Sequence, residues 1–282
     1  MNIDLILKDF EIFYRWGQCA LQWQSPYTCG DMVYPLPIIV LFAPFALLPL
    51  RIAKFAWFSL SLVAFVYALK RRSLLFALFI PVVQAFYYGQ VDLLLLPALA
   101  SGSGIGVAFL TLKPQLAFLW APIWFWNAPI AERWRFLAVS FAIWFGSLLF
   151  HPTWPIHFLI GTRSLAQTAY ASPSLWGGGN PWWLVIPSGV ALIYFAKDKF
   201  AATTTVNPAI NAYDLSMLSL NAPWWIVPAS WVAFYISQQM GSVWAYAGIS
   251  AIIATNSMDW GATNFHRIGK QLIPSIFVKR DN

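Results

Sequence analysis

The sequence predicts an all-α fold, that of a polytopic helical membrane protein. Three observations carry the prediction. First, the chain of 282 residues is 60% hydrophobic and only 10% charged, against about 25% charged residues in a soluble globular domain, and its mean hydropathy is +0.63. Second, the charges are sparse and clustered: only Arg163 lies between residues 136 and 196, only Asp214 between 200 and 258, and only Asp92 and Lys113 between 73 and 131. Long uncharged stretches suit helices in lipid, where each backbone N–H and C=O must be paired within its own segment. Third, the 17 Trp and 11 Tyr include pairs near segment ends (Trp124 and Trp126, Trp182 and Trp183, Trp224 and Trp225), as an interfacial aromatic belt requires. The net charge of +7 does not indicate nucleic acid, because no basic stripe is present to neutralise a row of phosphates.

The elements follow in order. Residues 1–33 form a polar segment with Asp4, Lys8, Asp9, Glu11 and Arg15, without the charged, apolar, small-residue order of a cleavable signal peptide. Cys19 and Cys29 in this segment permit a disulfide in an oxidising compartment but do not establish one. Lys70-Arg71-Arg72, Arg133 with Arg135, and Lys197 with Lys199 each follow an apolar stretch and mark cytoplasmic loops under the positive-inside bias. On that basis residues 52–69 enter the cytoplasm from outside. Residues 34–50 contain prolines at 35, 37, 44 and 49 and fall short of the roughly 20 residues a spanning helix needs, so they are expected to form an interfacial or re-entrant helix that leaves 1–33 outside.

Residues 73–88 return outward and bring Gly89-Gln90-Val91-Asp92 to the outer face. Residues 93–126 go in and out around Ser101-Gly102-Ser103-Gly104, each arm short for a full crossing, with Lys113 near the outer end. Residues 136–150 go out again. Residues 151–180 are expected to be a polar extracytoplasmic loop ending in Gly177-Gly178-Gly179-Asn180-Pro181. Residues 182–196 come back in, and 223–236 and 240–255 are further apolar segments. The basic tail 259–282 favours the cytoplasm, although the span count does not bring it there. The whole chain reads as a single transmembrane domain, with its membrane core at 34–150 and further helices in 181–258.

Charges within the apolar stretches are candidate site residues. A charge at the bilayer centre costs about 2.5–3.5 kcal/mol on insertion scales, so such groups sit at the boundary or face a polar cavity. Asp92 opens G-Q-V-D-L-L-L-L at 89–96, and Lys113 interrupts L-T-L-K-P-Q-L at 110–116.

Five elements in order resemble a known family. The chain reads D-F-E-I-F-Y-R-W-G-Q at 9–18, S-P-Y at 25–27, Y-P-L-P at 34–37, G-Q-V-D-L-L-L-L at 89–96 and G-I-G-V-A-F-L-T-L-K-P-Q-L at 104–116. This resembles glycosyltransferase family 87, membrane mannosyltransferases of the GT-C superfamily, over roughly residues 9–120. Asn180 after the glycines and Tyr213-Asp214-Leu215 are weaker echoes. The resemblance departs at the N-terminus, where the family has a transmembrane helix ahead of its acid and eight residues precede Asp9 here. At 282 residues the chain is also short for such an enzyme, which suggests either a fragment or a lost first helix.

The resemblance implies a multi-pass cell-membrane enzyme. Its donor would be a polyprenyl-phosphate sugar, and the acceptor a lipid or glycan on the extracytoplasmic face. Such a donor already carries its leaving group, so the chemistry needs a base for the acceptor hydroxyl and cations for the departing phosphate. Asp9 matches the family's acid, and Lys113 and Arg163 are the outer-side cations. Tyr14, Tyr34, Gln90, Asp92, Gln115, Asn180, Tyr213 and Asp214 are the substrate-binding candidates. No cofactor is implied, and no His, Cys, Asp or Glu cluster has metal-ligand spacing.

Each residue also has a plain structural reading. Asp9 serves equally as a solvated acid at a helix start, Asp92 as an N-cap, Lys113 as a lysine snorkelling to the interface, and Tyr213-Asp214 as a helix cap. Arg163 lies in a loop that favours charge, and His151 and His157 suit interface packing. At the level of function, the alternatives are a transporter or flippase of a lipid-linked substrate, or a non-catalytic membrane remnant of the enzyme family. No repeat of the kind transporters carry relates 34–126 to 136–255.

Overall fold

The computed structural model describes residues 6–29, 32–161, 174–176, 180–207, 209, 211–240 and 245–256, and among these it is helical with no strand. Sixteen α-helices follow one another. They are α1 (Lys8–Leu21), α2 (Pro26–Cys29), α3 (Ile39–Ala46), α4 (Leu50–Leu69), α5 (Ser73–Phe76), α6 (Ile80–Tyr88), α7 (Asp92–Ser101), α8 (Gly104–Leu110), α9 (Pro114–Ala117), α10 (Trp120–Asn127), α11 (Ile130–Phe150), α12 (Trp154–Gly161), α13 (Trp182–Phe195), α14 (Lys199–Val206), α15 (Ile226–Met240) and α16 (Ala245–Asn256). A nine-residue 3₁₀ helix, Ala212–Leu220, precedes α15.

Only two helical runs among the described residues, Leu50–Phe76 and Ile130–Phe150, are long and apolar enough to cross a membrane. The 20 residues of α4 rise about 30 Å, close to the thickness of a hydrocarbon core. The remaining apolar segments are broken where their sequences require it. Pro44 and Pro49 close off α3. Residues 73–88, expected to be one run, divide into α5 and α6, because Pro81 can stand in the first turn of a helix but not in its interior. Gly102, in the left-handed conformation at φ 59°, turns α7 into α8. The expected loop 151–180 contains the helix α12, while the triglycine at 177–179 and the tail beyond Asn256 lie outside the described residues.

The core is aromatic. In α1, Phe10, Phe13, Tyr14 and Gly17 are buried on one face, a spacing of three and four residues that makes one helical stripe. That stripe packs on α3 and α4, where Phe10, Phe42 and Phe45 surround the fully buried Trp57 with ring centroids 5.0–5.2 Å away. Gly17 permits the close approach of α1 to α3, because a Cβ there would lie 3.0 Å from the Ala46 side chain. Other helices turn apolar residues outward. Only Ser147 of α11 is buried, while Phe141, Phe145, Leu149 and Phe150 are exposed, and in α13 the exposed residues include Trp182, Trp183, Val190 and Phe195.

Contacts sort the loops to two ends of α4. Near its start, Lys54 pairs with Glu11 of α1, Trp23 stacks on Phe150, and Tyr27 stacks on His157. Beyond its end, Arg72 donates to the carbonyls of Leu220 and Ala222, and Asn221 donates to Asp198. Glu132 accepts from the Gly104 N–H at the α7–α8 turn.

Candidate functional site

Asp9 is positioned by the way α1 begins. Leu7, with φ 64°, donates its N–H to Tyr87 O at 2.7 Å, and the Trp57 indole N–H donates to Gly89 O at 3.0 Å, which locks the start of α1 onto the end of α6. Gly89 is required at this junction. Its φ is +75°, and a Cβ would lie 2.9 Å from Phe10 Cβ, so a larger residue would be both strained and obstructed. The next residue, Gln90, is buried and donates its amide to Asp9 Oδ2. Partial burial raises the Asp9 carboxyl above the ordinary aspartate range; the Gln90 hydrogen bond and the Lys113 charge offset this in part. A carboxyl raised in this way and held by a second side chain has an environment in which a general base can work.

Beside it lies a sealed ionic cluster. Lys113 Nζ donates to Asp92 Oδ2 at 2.7 Å and to Asp214 Oδ1, and all three side chains have no solvent exposure. Three chain breaks deliver them. Asp92 is the first residue of α7, Lys113 occupies the break before Pro114 at the start of α9, and Asp214 lies in the first turn of the 3₁₀ helix. A proline has no N–H to donate to the helix's hydrogen-bond ladder, so the backbone opens beside Lys113 and its side chain turns inward. Asp214 Oδ2 also accepts the Asn211 N–H at 2.6 Å, completing a capping box. The Tyr213 ring lies 5.1 Å from the Lys113 ammonium and 6.1 Å from the Tyr88 ring.

The sequence-based candidates separate on this geometry. Asp9, Gln90, Asp92, Lys113, Tyr213 and Asp214 come together, with buried Tyr34 close enough to interact electrostatically with Lys113, Asp92 and Asp9. The N-cap reading of Asp92 is corrected, since Val91 holds the cap position and the Asp92 carboxylate turns to Lys113. Lys113 does not snorkel or line an open cavity. It is enclosed, and a phosphate reaches it only if one of its carboxylates gives way. The cap reading of Asp214 is correct but incomplete, because the same carboxylate holds Lys113. Tyr14 donates to Leu48 O at 2.7 Å and Asn180 to Leu175 O at 2.8 Å, so both tie backbone together. The Gln115 carbonyl accepts from Asn207. Arg163 lies outside the described residues.

His157 lies 5.8 Å from Tyr27 and 5.5 Å from His151, ring to ring. Among the described residues no group of three or more His, Cys, Asp or Glu could hold a metal ion. Cys19 and Cys29 are joined in a disulfide. The sequence reading missed the Lys54–Glu11 pair. Its signal was a lysine four residues into a largely apolar helix, with an acid two residues beyond Asp9.

Comparison with protein-family models, curated proteins and solved structures gives no match.

Proposed function

We propose that this chain is a multi-pass membrane glycosyltransferase, of GT-C type by its resemblance. It would move a hexosyl group, mannosyl by the same resemblance, from a polyprenyl-phosphate sugar to a lipid or glycan acceptor on the extracytoplasmic face. One observation carries the reading. The motif residues that suggested the family, Asp9, Gln90 and Lys113, are scattered over the first 113 positions yet gather in one cluster, joined there by Asp214. Asp9 takes the proton of the acceptor hydroxyl. The acceptor oxygen then bonds to the anomeric carbon as the bond from that carbon to the phosphate oxygen breaks, and polyprenyl phosphate departs with the electron pair. Arg163 and Lys113 are the proposed cations for that phosphate, Lys113 only once one of its carboxylates gives way.

The disulfide supports the outer placement of Asp9, because Cys19 belongs to the same helix and disulfides persist in oxidising compartments. Exposed apolar faces on α4, α11 and α13 support the membrane reading. The fully enclosed ion cluster is the observation that favours a transporter instead, since ionisable groups at membrane depth often serve ion pathways. Purified protein given a polyprenyl-phosphate-mannose donor and a lipid acceptor separates the two: transfer of the sugar supports the enzyme, and movement of an intact donor across the bilayer without transfer supports the transporter.

Sidedness has its own test. Cysteines introduced at the exposed positions 18 and 23 are expected to react with a membrane-impermeant thiol reagent added from outside. Cysteines at 71, 135 and 197, also exposed, are expected to stay silent until the membrane is permeabilised. Labelling at 71 from outside would reverse α4 and put Asp9 on the wrong side for the proposed chemistry.

A further inference from the structure

The sealed cluster holds two carboxylates against one ammonium, one negative charge in excess if all three groups are ionised. An uncompensated charge without solvent contact is costly, and the two acids differ in how their oxygens are satisfied. Asp214 has a donor on each: Lys113 on Oδ1 and the Asn211 N–H on Oδ2. Asp92 has Lys113 on Oδ2, and its Oδ1 is buried without a hydrogen-bond partner among the described residues.

Among the described residues no other charge repairs the balance. Of the elements packed on α7, neither α6 nor α8 carries a charged residue. The cations of α4 are Arg51 and Lys54, and Lys54 is held by Glu11. The 3₁₀ helix contributes only Asp214 and the phenol of Tyr213. Buried Tyr34 is likewise a neutral phenol, and the neighbouring carboxyl of Asp9 has the same sign as the excess, so it cannot compensate it.

We infer that Asp92 is a proton-binding site, occupied at neutral pH, and that Asp214 is the permanent counter-ion of Lys113. The bound proton makes the cluster neutral and leaves Asp214 ionised, where two donors stabilise it. It also turns Asp92 from an acceptor-only group into a hydrogen-bond donor, as happens when two neighbouring carboxyls share one proton. The inference concerns a protonation state and holds whichever reaction the protein performs.

Infrared spectra of the wild type and of Asp92→Asn and Asp214→Asn in lipid at pH 7 test it, with thermal unfolding of the same samples. The wild type is expected to show a protonated-carboxyl C=O band that is absent from Asp92→Asn. In Asp214→Asn the band should also fall, because Asp92 is then the only counter-ion left to Lys113 and ionises. Other acids contribute equally to all spectra and cancel in the differences. Asp92→Asn mimics the protonated acid, so its melting temperature should match or exceed that of the wild type, while Asp214→Asn, which forces the charge onto the carboxyl with one unpartnered oxygen, should melt below both. No carboxyl band lost in Asp92→Asn, a band undiminished in Asp214→Asn, or a melting point for Asp92→Asn as low as that of Asp214→Asn would each overturn the assignment.

Discussion

Asp9→Asn is expected to lower sugar transfer by about 10²–10⁴-fold, the usual contribution of a positioned general base, while leaving the melting temperature within a degree or two of wild type. The asparagine keeps an oxygen for the Gln90 amide and removes a charge that partial burial disfavours, so folding loses little. The pH dependence is a second readout. A base works only when deprotonated, and the Asp9 carboxyl is raised above the ordinary aspartate value of about 3.9. Transfer should therefore be full well above the raised value, fall as pH drops through it, and show this acid limb at higher pH than a free aspartate would give. Loss of the limb in the residual activity of Asp9→Asn would assign it to this residue. Activity within a few-fold of wild type would remove Asp9 from the mechanism.

Lys113→Met is expected to be the most destabilising single change in the cluster. It leaves Asp92 and Asp214 enclosed without their shared donor, and removing one partner of a buried ion pair typically costs about 3–5 kcal/mol. For a chain of this size that is on the order of 10 °C in melting temperature. Adding Asp214→Asn to Lys113→Met should recover part of the loss, because it removes the stranded carboxylate. Turnover of the folded fraction should also fall, by roughly a hundredfold if Lys113 stabilises the leaving phosphate. A melting temperature unchanged in Lys113→Met would mean that the ammonium does not hold these carboxylates together. Normal turnover in protein that remains folded would pass the phosphate-binding role to Arg163.

The sequence by itself determined that the described chain is helical and rich in apolar segments, because composition and the spacing of charges act locally and do not depend on what packs against what. It also placed the breaks at Gly102 and Pro114, which constrain their own backbone wherever they stand, but not the one before Pro81. Asp92 and Lys113 stood out for the same local reason, as charges at the edges of apolar runs, whereas Asp9 was singled out by the resemblance.

The tertiary structure alone decided which of these charges meet. Nothing local tells Lys113 that its partners lie 21 residues before it and 101 after it, or Asp9 that its partner is Gln90, 81 residues away. The Asp9 pairing follows from the close approach that Gly89 permits, and the Lys113 pairings from the packing of the 3₁₀ helix on α6 and α7. Burial changed the meaning of the residues as well. A lysine that sequence reading takes to be snorkelling or lining an open cavity becomes, once enclosed at the Pro114 break, the shared donor of two carboxylates, because a group removed from water must find its compensation inside the protein.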